Sequence, residues 1–181
     1  MLTSETIIAQ TKKWIIDVVA GCNFCPFASR EVKKGSVHYE VLEKATSKSS
    51  LETLAKMFLQ LDEDPGVETS LLILPGSFST FETYLQLVDI AERFLKDEGY
   101  EGIYQLASFH PLYLFAGTTE KDAANYTNRS VYPMLHLLRE ESIDKALENY
   151  NKPEDIPDRN INFAREKGLV YMKMLRDSCL G

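Results

Sequence analysis

Leu71-Leu72-Ile73-Leu74 is the stretch that most constrains this chain. Four consecutive apolar residues, closed by Pro75-Gly76, leave no polar side. Side chains of a strand alternate between two faces, so such a run suits a strand covered by helices on both, as in a parallel sheet. The flanking segments agree. Upstream, Leu51, Leu54, Met57, Phe58 and Leu61 recur at helical spacing after the capping-box pair Ser49 and Glu52, and Asp64-Pro65-Gly66 makes a turn. Downstream, Ser79 and Glu82 repeat the cap spacing. Phe81, Tyr84, Leu85, Val88, Ala91, Phe94 and Leu95 then form a second amphipathic helix that stops before Gly99.

The remaining segments fill in the same plan. Ile7, Ile8, Thr11, Trp14, Ile15, Val18 and Val19 predict a helix from a Ser4 cap to a Gly21 stop, with Trp14 in its buried stripe. Val37, Tyr39 and Val41 alternate with His38, Glu40 and Leu42 as in a strand, and Thr46–Ser50 reads as a loop. Ile103–Phe109 reads as a third strand, broken by His110-Pro111. Tyr113–Ala116 reads as a further short strand, and 117–130 as irregular with a helical turn near Lys121–Ala124. Pro133 suits the first turn of a helix running to about Asn149. Ile156-Pro157 opens another, Gly168 breaks it, and Leu169–Cys179 closes the chain as a helix. The reading is a single α/β domain spanning 1–181, with a small parallel or mixed sheet of three to four strands covered by helices.

Bulk properties exclude some classes. With 181 residues, 44% of them hydrophobic, the chain can bury a core. A net charge of −7 argues against a nucleic-acid partner, because phosphate binding needs a basic face. No apolar run approaches the roughly 20 residues of a membrane span, so no membrane partner is expected. Ile7–Val19 is interrupted by Lys12, Lys13 and Asp17, which does not suit a signal peptide and makes the cytosol the expected compartment. Three cysteines are an odd count for a disulfide framework. The dinucleotide, P-loop, zincin and nucleophile-elbow signatures are absent as motifs, so no cofactor is named.

The chemistry-bearing residues concentrate between Ala107 and Glu141. Open α/β sheets bind ligands outside the carboxyl ends of their strands, here 43–47, 75–79 and 108–111, which places His110 on that edge. The bland alternative is a strand-end histidine bonded to a nearby carbonyl. Asn128-Arg129-Ser130 precedes the helix expected at Pro133, and a helix start with a guanidinium makes a carboxylate or phosphate site; alternatively Ser130 only caps and Arg129 is solvated. His136, Arg139 and Glu140 would share one face of that helix. Cys22 and Cys25 have redox or metal spacing but follow a helix rather than a strand. Cys25 would cap a short helix towards Val32, where free N–H groups favour a thiolate. A zinc site would need Cys22, Cys25, His110 and His136 together.

These residues fall within longer motifs: Cys25-Pro26-Phe27-Ala28, Ala107-Ser108-Phe109-His110-Pro111, Phe115-Ala116-Gly117, Asn125 with Thr127-Asn128-Arg129-Ser130, Tyr132-Pro133, Leu135-His136-Leu137-Leu138-Arg139-Glu140, and Ile156-Pro157 with Arg159-Asn160-Ile161. With them, nearly the whole chain resembles a family of uncharacterised, mostly bacterial proteins carrying a domain of unknown function. Cys22, Leu112 and Val131 depart from that pattern. The resemblance implies no reaction, but it sharpens the choice of Cys25, His110, Asn128, Arg129, His136, Arg139 and Glu140. The expected function is a site for a small anionic metabolite, a carboxylate or phosphate. Arg129, Asn128, Asn125, Arg139 and Glu140 would bind it, His110 or His136 would be the general acid–base, and Cys25 a nucleophile if it reaches the same pocket. The alternatives are a ligand-binding module without chemistry, and a metal or thiol redox protein built on Cys25.

Overall fold

Thr69–Ile73 forms β2, and all five of its residues are buried. The computed structural model describes residues 2–148 and 150–181. β2 pairs in parallel with β1 (Val37–Val41) through α3 (Ser47–Glu63), the crossover expected from the apolar run. α4 (Phe81–Asp97) then leads to β3 (Tyr104–Phe109). Side chains alternate across the sheet. Leu71 and Ile73 enter one core with Trp14, Val18, Met134 and Met172, while Leu72 and Leu74 enter the other with Leu54, Phe58, Tyr84 and Leu87. Leu71, Leu72, Ile73 and Leu74 are each 2% exposed or less, which contributes ~6–12 kcal/mol of apolar burial at ~1.5–3 kcal/mol per side chain.

The segment after Pro133 corrects the reading above. It is not a helix: Met134–Arg139 is β4, followed by α5 (Glu140–Leu147). β4 lies between β2 and β3 and is antiparallel to both, giving a mixed sheet of order β1-β2-β4-β3. Its neighbours cover both faces, so Met134 faces one core while Leu135 and Leu137 face the other, and polar alternation disappears. Without alternation, a short apolar run of helix-forming residues cannot be told from a helix by periodicity. The expected end of that helix at Asn149 lies outside the described residues. β2 and β3 run parallel as expected, but β4 separates them.

Several ends also shift. Thr46 caps α3 in a reciprocal box with Ser49, so Ser47–Ser50 are helical rather than loop. Thr80 rather than Ser79 caps α4, and Thr3 rather than Ser4 caps α1 (Ser4–Trp14). Tyr113–Ala116 forms no strand, and the short helical turn falls at Ala123–Thr127. Beyond Trp14 the first helix widens into a π-helical segment, Ile15–Ala20, closed by the Gly21 N–H donating to the Ile16 carbonyl at 2.9 Å. A Cβ on Gly21 would lie 2.2 Å from the Asp17 carbonyl oxygen, so this wide turn requires glycine. With α1 and the π segment, α2 (Ala28–Lys34), α6 (Ile156–Lys167) and α7 (Leu169–Asp177) cover the first face; α3 and α4 cover the second. Among the described residues no helix is long and apolar enough to cross a membrane.

Candidate functional site

Between the sheet and the first helical layer lies a cavity of about 140 Å³. Its floor is Val37, Thr69, Leu71, Ala107, Phe109, His136 and Leu138; its roof includes Trp14, Ile15, Val19, Cys25, Phe27 and Glu31. The floor follows from strand register. His136 pairs with Leu71 on one side and Ala107 on the other, so all three side chains share a face. The roof follows from the π segment, whose wider turn carries Ile15 and Val19; such segments recur at functional sites. Val37 and Thr69 begin their strands, so the cavity does not lie at the carboxyl edge expected for a ligand.

Besides Thr69, four polar groups enter this otherwise apolar lining. His136 is half-buried and lines the cavity. Its Nε2 lies 2.5 Å from Thr69 Oγ1, and Thr69 donates its one hydroxyl proton to the Leu137 carbonyl at 2.6 Å. A carbonyl can only accept, so Nε2 carries the imidazole proton and donates to Thr69. Nδ1 is then an unprotonated acceptor with no partner among the described residues. Burial pushes the pKa of His136 down to about 4, so the ring is neutral at physiological pH.

Cys25 is the second group. The N–H groups of Phe27 and Ala28 reach its sulfur and favour the thiolate, as expected for a cysteine at a helix start, but burial outweighs them and raises its pKa. The resting group is therefore a thiol, and the capping residue of α2 is Phe27. α6 holds the loop that carries Cys25: Arg159 donates to the Asn23 carbonyl at 2.5 Å, and Asn160 to the Phe24 carbonyl at 2.7 Å. Asn23 adopts φ 55°, a left-handed conformation that this clamp maintains.

Glu31 and Trp14 complete the set. Glu31 is fully buried; it accepts from Ser36 Oγ at 2.6 Å and pairs with Arg30 Nε at 2.5 Å. Trp14 is 1% exposed, and its indole N–H has no hydrogen-bond partner among the described residues. A buried orphan donor is costly, and a ligand acceptor would relieve it. Sequence reasoning missed Glu31, Trp14 and Thr69 as site residues. Trp14 read as core, and a glutamate on a short charged helix carries no signal of burial. Arg159 and Asn160 stand in the family motifs, which was the available hint of a positioning role.

The other expected site residues lie elsewhere. His110 is fully buried with both nitrogens occupied: Nε2 donates to the Phe78 carbonyl at 2.9 Å, and Nδ1 accepts from the Leu112 N–H at 3.0 Å. It packs against the ring of Tyr84 at 4.9 Å, and burial lowers its pKa. This is the strand-end histidine bonded to backbone, with no nitrogen left for catalysis. Asn125 is fully buried and ties the loop, accepting from the Phe115 N–H at 2.8 Å and donating to the Thr119 carbonyl at 2.9 Å. Asn128 accepts from Thr127 Oγ1 at 3.0 Å, and its carbonyl accepts from the His110 N–H at 3.3 Å. Arg139 bonds to the Leu61 and Val67 carbonyls, closing the α3–β2 connection. Glu140 starts α5, its N–H donating to the Ile103 carbonyl at 3.0 Å. Because β4 replaces the expected helix, His136, Arg139 and Glu140 share no helical face, and Arg129 precedes no helix start.

Arg129 lines a second hollow with Tyr126 and Lys173, not the cavity. Of Cys25, His110, Arg129 and His136, only Cys25 and His136 line the same cavity. Cys22 is buried in the core beside the π segment, and burial raises its pKa too. Among the described residues no cluster of three or more histidines, cysteines or carboxylates is arranged to hold a metal ion. Cys179, near the end of the chain, is 1% exposed.

No curated protein and no solved structure matches the chain. One family model does, over residues 6–174, and this chain therefore belongs to the family described as "Protein of unknown function (DUF1415)".

Proposed function

We propose that the cavity under the first helical layer binds a small, largely apolar molecule on which Cys25 acts as nucleophile and His136 as proton acceptor. The observation that carries this is the sharing of one cavity lining by a thiol and a neutral imidazole whose Nδ1 has no partner among the described residues. Because the thiol pKa is raised and that of the imidazole lowered, the proton would pass to Nδ1 only as the sulfur electron pair bonds to a carbonyl carbon of the ligand, the carbonyl π pair moving onto its oxygen. Size supports a compact ligand: apolar cavities of about 150 Å³ take up benzene. The buried carboxylate of Glu31 and the absence of a cation from the lining favour an uncharged ligand here over an anion. Three free cysteines support a reducing, cytoplasmic setting.

Site-mapped alkylation tests the reading. Iodoacetamide should modify Cys25, iodide leaving as the C–S bond forms, and benzene should slow the reaction by occupying the cavity. His136→Gln should lower the Cys25 rate at neutral pH by about tenfold or more, within the range of general-base contributions. An unchanged rate in His136→Gln removes the catalytic pairing. A binding site without chemistry would retain benzene protection but lose the dependence on His136.

A further inference from the structure

The hollow at Arg129 is independent of the cavity and has its own chemistry. It is an open cleft of about 500 Å³ just past the carboxyl-edge loops, between Thr80 and Phe81 at the start of α4 and Leu112 and Leu114 after β3. Arg129 is 8% exposed. Its Nε donates to the Tyr113 carbonyl at 2.9 Å, and its guanidinium lies 4.9 Å from the ring centroid of Tyr126. That bond and that ring fix the guanidinium plane. Neither Nη has a hydrogen-bond partner, and no carboxylate pairs with Arg129, among the described residues. A guanidinium this buried with no counter-ion is expensive unless something anionic visits it.

The surroundings define the visitor. Lys173 and Arg176 share the single carboxylate of Asp177, at 2.7 and 2.6 Å, so it offsets only one of the two charges. Lys121, Arg129 and Lys173 line the cleft against Glu120, so its walls carry net positive charge. Two free Nη groups in a fixed plane match the two oxygens of a carboxylate. The walls are apolar: Phe81, Leu112, Leu114 and Tyr126. We infer that this cleft is a second ligand site, taking a carboxylate on a flat apolar body with Arg129 as the anchor of the charged end.

Calorimetric titration of the full chain with benzoate, benzyl alcohol and inorganic phosphate tests the assignment. Benzoate should bind, at least about tenfold more tightly than benzyl alcohol, because charge-assisted bidentate bonds distinguish them. Arg129→Gln should weaken benzoate by about tenfold or more. Lys121→Glu, on the exposed rim, should weaken it by roughly threefold, increasingly at low salt, with the melting temperature unchanged. The inference is overturned if benzoate does not bind, if benzyl alcohol binds equally well, if phosphate binds more tightly than benzoate, or if both variants bind benzoate like the unaltered protein. Should Arg129→Gln fail to fold, the Lys121→Glu titration and the ligand comparison still decide.

Discussion

His136→Gln should remove a defined part of this protein's acid sensitivity. His136 titrates at about 4 when folded, against an ordinary value of 6.5. Between those values the unfolded chain binds more protons than the folded one, so stability rises with pH through the window. The contribution is fully present above 6.5 and is lost as pH falls towards 4. Two and a half pH units correspond to ~3 kcal/mol in full, and at pH 5 the loss is already ~2 kcal/mol. Cys25 does not interfere, because its raised pKa keeps it protonated throughout. His110 has the same sign of shift, so the test is a difference between proteins rather than a single curve. Urea unfolding at pH 7 and pH 5 provides the assay. A loss of ~2 kcal/mol corresponds to about 1 M in the urea midpoint for a domain of this size. The unaltered protein should lose about that much more than His136→Gln between the two pH values. Equal losses in both would mean that the imidazole is not held neutral against the cavity.

Two further substitutions test the framework around the site. Gly21→Ala should destabilise by about 1–3 kcal/mol in urea unfolding, because the new methyl must displace the Asp17 carbonyl at the end of the π segment. Tyr84→Phe should cost about 1–3 kcal/mol in the same assay. Its hydroxyl donates to the Met134 carbonyl at 2.6 Å and accepts from the Phe109 N–H at 3.0 Å, so its loss leaves a strand-end N–H unpaired.

The clearest failure of sequence reasoning has a specific cause. Met134–Arg139 combines helix-forming residues with a proline in front, and in this central strand covered on both faces its two polar residues, His136 and Arg139, stand three apart, a helical rather than an alternating spacing. That one element reassigns the site. As a helix it would have placed His136 beside Arg139 and Glu140; as a strand it places His136 between Leu71 and Ala107, facing the cavity. His110 and Asn125 illustrate a second cause. Both lie in dense polar motifs, and both spend their polar side-chain atoms on structural hydrogen bonds, His110 to the backbone of Phe78 and Leu112 and Asn125 to that of Phe115 and Thr119. The number of hydrogen-bonding groups in a motif does not reveal where their partners are.

Local pattern alone determined the layered architecture. The run at 71–74, the periodic stripes of α1, α3 and α4, and the alternation in β1 all follow from which side of an element must leave water, and that is written in residue spacing. Tertiary structure decided where the chemistry lies. Cys25 and His136 are far apart in the chain and meet only because β4 inserts between β2 and β3 beneath the π segment, while Arg129 is carried to another hollow. Which buried groups find partners and which are left facing a void is set by packing across layers, and no single segment contains that information.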